Sequence, residues 1–326
     1  MIRIAACTAA LLSAIAAPAA LATDDSIAVP QGIATHADGR APIEALYSKY
    51  LSLVDQGWKA EVVVQSQPAG TTQPLPVIAL RSPAAGPAIW ILAGVHGEEP
   101  AGPNAIASTI DDIAKLGAHR PVVLMPLLNP QGYARSWRYL NMPTYSAEVD
   151  GHSVGDSSHL LPSADDAARA RAPAASSPEA DAITAFILRR QADYPTVISI
   201  DLHEDNLINE GYVYSQGVAG AKEEIAITAV NVLREAGVPI KMSGKTRFEE
   251  PVERGIIGPV TDSSIDELMS ARSLVVGGAA KPGPAATTVL VPETPAAALP
   301  LEKRVAAHAA LLKLLSTYLL TQPDGY

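Results

Sequence analysis

The stretch AIWILAG, residues 88–94, runs directly into Val95-His96-Gly97-Glu98-Glu99. Seven nearly all-apolar residues ending in a polar, glycine-containing turn predict a strand buried on both faces, as in a parallel sheet. Two other apolar runs end the same way. TVISIDL, 196–202, leads into His203-Glu204-Asp205, and TTVLV, 287–291, leads into Pro292-Glu293. Open α/β sheets gather ligands beyond the carboxyl ends of their strands. Three strand ends therefore deliver two His and several carboxylates to one edge of one sheet. The expected fold class is α/β, with a mixed, largely parallel central sheet flanked by helices.

The remaining pattern fits that frame. Helices are expected at Ile43–Gly57, Pro100–Leu116, Glu179–Ala192, Ala219–Ala236 and Leu301–Leu320, and further strands at Ala60–Ser66, Leu75–Arg81, Val122–Leu127 and Tyr212–Ser215. Pro100 is acceptable in the first turn of a helix, where its missing N–H has no partner to lose. Residues 129–178, rich in Ser, Ala, Pro and Asp, read as a long loop, with 141–178 a candidate lid, and 247–284 as a mixed, Gly-rich region. Strands alternating with helices, with no repeat and no linker, predict a single domain over 41–326. It follows a polar, irregular and mobile lead-in, 23–40.

Composition narrows the function classes. The 326 residues are 48% hydrophobic, enough for a sizeable core. The net charge is -10 and basic residues do not cluster, so nucleic acid is not an expected partner. Residues 1–22 read as an export signal: Arg3, an apolar run over 4–17, then Ala20-Leu21-Ala22, with cleavage before Thr23. Pro18 interrupts the apolar run, which is short for a membrane anchor, and no later segment suits a span. An exported protein without stable membrane insertion, periplasmic or secreted, is the expectation. The lone cysteine, Cys7, lies in that leader, so any metal must be held by His and carboxylates. The oligomeric state is left open.

His96 and Glu99, three apart at a strand-to-helix turn, can present both side chains on one side of the first helical turn. His203 would complete a His₂Glu set, a common donor set for one catalytic Zn²⁺ with a position left for water. Asp201, two residues earlier on the same strand face, is a candidate to orient an imidazole. An H-x-x-E pair also arises by chance, and a His after a strand is an ordinary loop residue. It is their occurrence together at matching strand ends that points to metal.

These residues and their surroundings resemble the zinc carboxypeptidase-like metallopeptidases and their relatives, the succinylglutamate desuccinylases and aspartoacylases. The resemblance spans about residues 88–315 and rests on GVHGEEP (94–100), NPQGYARSWR (129–138), IDLHE (200–204) and VPETP (291–295). It implies a carboxypeptidase-like, phosphorylase/hydrolase-like fold, with His96, Glu99 and His203 as zinc ligands. It also implies Glu293 as the catalytic base and Arg138 as the cation that stabilises the developing oxyanion. Glu293 equally reads as a residue of a Pro-rich turn, and Arg135 competes with Arg138. Asn129 and Arg135, in the second motif, are candidate substrate contacts.

One part of the pattern departs. Carboxypeptidases grip a free carboxylate with an Asn-Arg pair in a G-x-D-x-N-R-like segment. Here Val154-Gly155-Asp156-Ser157-Ser158-His159 puts Ser158 and His159 at those positions, and neither reproduces a guanidinium fork. No Tyr lies just before Glu293. The expected activity is therefore an exported, zinc-dependent peptidase or amidase with a peptide, cell-wall peptide or small amide as substrate. A deacylase of N-acyl amino acids, using Arg135, Arg247 or Arg254 for the carboxylate, is the alternative. A non-catalytic binding module on the same fold is another. Glu204-Asp205 reads as a solvated turn or as a contact for basic substrate groups.

Overall fold

The computed structural model describes residues 27–68, 70–140 and 155–321. The expected leader and residues 141–154 of the long loop lie outside the described residues.

The elements follow in chain order. Helix α1 (Ile43–Leu51) precedes strands β1 (Lys59–Ser66), β2 (Leu75–Arg81) and β3 (Ala88–Ala93). Then come α2 (Ala101–Ser108), α3 (Ile110–His119), β4 (Val122–Met125), α4 (Pro130–Arg135), α5 (Pro178–Arg190), β5 (Thr196–Asp205) and β6 (Tyr212–Ser215). Next are α6 (Glu224–Glu235), β7 (Ser243–Lys245), β8 (Pro251–Glu253), β9 (Ile256–Ile257) and α7 (Ile265–Ser270). Strands β10 (Ser273–Val276), β11 (Ala279–Pro282) and β12 (Thr288–Pro295) and helix α8 (Leu301–Thr321) complete the series.

Ten strands form one mixed sheet in the order β1-β2-β4-β3-β5-β12-β6-β9-β8-β7. The four central strands, β4, β3, β5 and β12, run parallel. Alternate residues of β3 feed two cores. Ile89, Ile91 and Ala93 face α1, α2, α3, α6 and α8, while Ala88, Trp90 and Leu92 face α5 and α7. Both faces of the strand are thus dry, which is why its sequence is continuously apolar rather than alternating. Trp90 is fully buried, edge-on to Phe186 at 6.3 Å, and its indole N–H donates to Tyr194 O. No helix among the described residues is long and apolar enough to cross a membrane.

Three differences from the sequence reading matter for the site. The expected helix 100–116 is two helices broken at Thr109, whose hydroxyl turns back to Ala105 O. Strands β5 and β12 run further than expected, so His203, Glu204 and Glu293 are strand residues rather than turn residues. β12 continues past its proline because the parallel register passes over Val291 and Pro292, which has no amide to give, and resumes at Glu293↔His203. Glu204 is not in a solvated turn. It is buried, accepts from the Ala101 N–H at 2.9 Å, and pairs with Arg304.

The lead-in is irregular but not mobile where described. Arg40 is buried, and its guanidinium donates to Gly97 O and Tyr133 O while Asp38 neutralises it. It thereby ties the turn after β3 to helix α4. Gly97 and Gly132 meet at the same point. A Cβ on Gly97 would lie 2.1 Å from Gly132 C and 2.3 Å from Trp137 O, both backbone atoms that cannot swing aside. Substituting Gly97→Ala should therefore destabilise the metal-free protein by roughly 2–3 kcal/mol through overpacking. Chemical denaturation checks this, and an unchanged midpoint would show that the two turns are not in contact.

Candidate metal centre and hydrolytic cleft

His96 and Glu99 occupy the tight turn between β3 and α2, and His203 stands near the end of the neighbouring β5. The Glu99 carboxylate lies between the two rings. Its Oε1 is 2.8 Å from His96 Nδ1 and its Oε2 is 3.0 Å from His203 Nδ1. One donor atom from each residue falls within 4.8 Å of the others. Donors of a tetrahedral zinc stand about 3.4 Å apart, given bonds near 2.1 Å, so small rotations suffice to seat an ion. Nε2 of His203 faces Asp201 Oδ2 at 3.3 Å, which leaves Nδ1 as the ligating nitrogen. The residues fit a metal.

The electrostatics agree with that fit. Burial alone would raise the Glu99 carboxyl, but the two imidazoles hold it well below the usual carboxylate range. Burial alone would strip His203 of its proton, yet Asp201 and Glu99 raise its pKa well above the ordinary imidazole value. A proton on His203 is the positive charge that this nest of carboxylates demands in place of a cation.

Glu293 lies level with His203 on the adjacent parallel strand, so both side chains leave the same face. Its Oε2 is buried with no hydrogen-bond partner. Burial, with Glu99 and Asp205 nearby, pushes its pKa well above the carboxylate norm against the pull of His203 and Arg138. Arg138 follows α4 and donates through Nη1 to Glu98 Oε1 and Glu99 Oε1, each at 2.8 Å. Its carbonyl accepts from the Gly97 N–H and from Asn129 Nδ2, which fixes it beside the metal turn.

A cleft of about 330 Å³ opens over these groups and contains His96, His203, Glu293 and Arg138 in its lining, with Glu99 directly beneath. The expected substrate contacts divide differently. Asn129 does not line it; its side chain caps α4 by accepting from the Gly132 N–H. Arg135 does not line it either, because its guanidinium stacks on Trp137 at 4.0 Å. Ser158 and His159 also lie outside the lining, with His159 turned toward Thr184 and Asp181 of α5. From that segment only Asp156 enters the cleft. Of the other two candidate cations, Arg247 lines the cleft and Arg254 points away toward Ala221 O.

The sequence reading missed Tyr212 and Tyr214, which line the cleft from β6. Tyr212 is the cross-strand partner of Glu293, and the rings of the two tyrosines meet edge-on at 5.4 Å. The aromatic-x-aromatic spacing put both on one strand face, but only the antiparallel pairing with β12 brings that face to Glu293. Arg40 was missed because its role depends on contacts with residues far along the chain.

Residues 85–246 match the profile of the succinylglutamate desuccinylase/aspartoacylase catalytic domain. Over that span, about half of its length, the chain is similar to these deacylases. The matched span holds His96, Glu99, Arg138 and His203 and ends before Glu293. No curated protein matches the chain by sequence. Among solved structures, a Shewanella amazonensis SB2B protein classed as a candidate metallopeptidase superposes with a TM-score of 0.63 at 22% identity, covering 86% of this chain and 93% of that one. Carboxypeptidase A from Helicoverpa armigera gives 0.55 at 14%, covering 86% and 73%. A metallo-carboxypeptidase from Burkholderia cenocepacia gives 0.52 at 15%, covering 84% and 68%. At these identities the likeness to the solved structures is one of fold: the mixed sheet and flanking helices are carboxypeptidase-like.

A site built this way should take up zinc with release of roughly one proton per chain at pH 7, because His203 holds its proton in the metal-free state and Glu99 has none to lose. An ordinary imidazole would release only about a quarter of one. Calorimetric zinc titration in buffers of different ionisation enthalpy measures this. Release near zero at pH 7 would show that the metal enters elsewhere.

Proposed function

We propose that the protein hydrolyses an amide bond with one zinc ion held by His96, Glu99 and His203 and with Glu293 as the base. The observation that carries this is the register of Glu293 with His203, which sets an unpartnered, buried carboxylate oxygen beside the donor set. When bound, zinc polarises a carbonyl oxygen and acidifies water toward a pKa of about 7. Glu293, level with His203, would take the proton of such a water, and its raised pKa suits it to keep that proton and return it to the leaving nitrogen. Arg138 stands where negative charge develops on the carbonyl oxygen. Glu99 and Glu98 hold its guanidinium fully charged against the pull of burial. The leader-like segment at 1–22 supports action outside the cytoplasm, in the periplasm or beyond.

Two substrate classes fit this chemistry: short peptides, and N-acyl amino acids as in the deacylase branch. The profile match favours the second. Arg247, the lining arginine not committed to the metal turn, is the candidate anchor for a substrate carboxylate. Turnover of N-acyl amino acids against matched dipeptides separates the two.

Glu293→Gln should lower kcat by about 10²–10⁴-fold while zinc content stays at one per chain. Arg138→Ala should cost about 10²–10³-fold in kcat. Metal analysis and steady-state kinetics on the same preparations check both. Full turnover by Glu293→Gln would remove the base from this scheme.

A further inference from the structure

The cleft gathers many acidic side chains, and burial raises the pKa of three of them, Asp156, Asp266 and Glu293. Nine carboxylates line it against two arginines. One arginine, Arg138, is committed to Glu98 and Glu99, and Arg247 lies 4.0 Å from Asp205. Several acids have local roles: Glu204 pairs with Arg304, Asp205 accepts from Tyr212, and Glu250 accepts from Tyr214. On the wall formed by the N-terminal turn of α7 and the adjoining segment, Asp262 accepts from the Ser264 N–H at 2.9 Å and Asp156 from the Ser176 hydroxyl at 3.3 Å, while Asp266 keeps one oxygen without a donor. Asp262 and Asp266 come from α7 and the residues before it, and Asp156 from the neighbouring strand of chain, held there by the Ser157 N–H donating to Ser263 O at 2.9 Å.

Asp266 is only 4% exposed, yet its Oδ1 has no hydrogen-bond partner while it lines the cleft. Asp201 Oδ1, also in the lining and also buried, is likewise without a partner. Carboxylate oxygens of Asp201 and Asp266 lie within 4.8 Å of each other. Buried acceptors left without donors are costly, and an arriving donor recovers that cost. An ammonium group carries three N–H donors and a positive charge on a narrow stem, which suits such a slot. Asp262 is exposed at the outer end and Asp266 is buried at the inner end, so the wall offers charge along the path of entry.

We propose that Asp262 and Asp266, with Asp156 beside them, form a subsite for a cationic group of the substrate, an ammonium such as a lysine-like side chain. The subsite rests on the hydrolase reading above and deepens it. The substrate class is then an amide of a basic amino acid, with its carboxylate toward Arg247 on the β7–β8 turn and its ammonium toward α7. An acidic side chain would be repelled by this wall, and a neutral one would leave Asp266 unpaired.

The test uses zinc-loaded protein with N-acetyl-lysine, N-acetyl-norleucine and N-acetyl-glutamate. The lysine compound should exceed the norleucine compound in kcat/KM by about tenfold or more, the value of one charged hydrogen bond. That ratio should fall toward one in Asp262→Asn and in Asp266→Asn. Asp262 is exposed, so its variant keeps the test valid if Asp266→Asn fails to fold. Calorimetric binding of the same compounds to zinc-loaded Glu293→Gln protein should follow the same order. If wild-type protein hydrolyses none of them, the N-acyl amino acid reading fails, and the binding order still decides the subsite. Equal or better performance of the norleucine or glutamate compound overturns it. So does a zinc content of two per chain that drops to one in Asp266→Asn, which would make these carboxylates metal ligands.

Discussion

The parallel pairing of β5 with β3 on one side and β12 on the other is the constraint on which the rest depends. Its register sets Glu293 level with His203, and the β3 end, one strand away, carries His96 and Glu99. Every side chain of the site leaves the sheet at the same edge because parallel strands all end there. Burial of both sheet faces makes that register costly to change. A one-residue slip would turn Ile198, Ile200 and Leu202 from one core to the other and carry His203 away from Glu99.

Around that frame, loops are held by a few long-range contacts. Arg40 bridges Gly97 O and Tyr133 O, and Gly97 packs directly on Gly132. The glycines of the two motifs are therefore a single packing requirement. The metal turn and the arginine segment can approach only if neither carries a side chain at that point. Arg138 is delivered by this contact rather than by its own helix.

The negative balance of the cleft gives these elements a common chemistry. Carboxylates from β5, β12, α7 and the segment around Asp156 converge on one opening, and the arginines there are drawn into pairs with them. Such a site holds a dication or, in its place, a protonated imidazole, and its unpaired inner acids favour a further cation. The weak acidity of the whole chain does not foretell this; it is the folding of separated acids onto one wall that concentrates the charge.

Much of this was legible in sequence. The continuous apolar runs specified buried parallel strands, and their polar ends specified His96, Glu99, His203 and Glu293 as neighbours, because side-chain period and strand direction are local properties. What required the tertiary structure were facts about partners distant in the chain. Pro292 looked like a strand end until pairing with two neighbours carried β12 through it. Asn129, Arg135, Ser158 and His159 sat in or near suggestive motifs, yet capping, stacking on Trp137 and packing on α5 turned them from the cleft. Tyr212, Tyr214, Asp262 and Asp266 had no motif at all and reach the site only through strand order and the seating of α7. Sequence by itself determined the candidate metal donors and the sheet that presents them, since spacing and hydrophobic period encode both. The tertiary structure alone decided what surrounds the reacting bond, since that depends on which distant surfaces pack together.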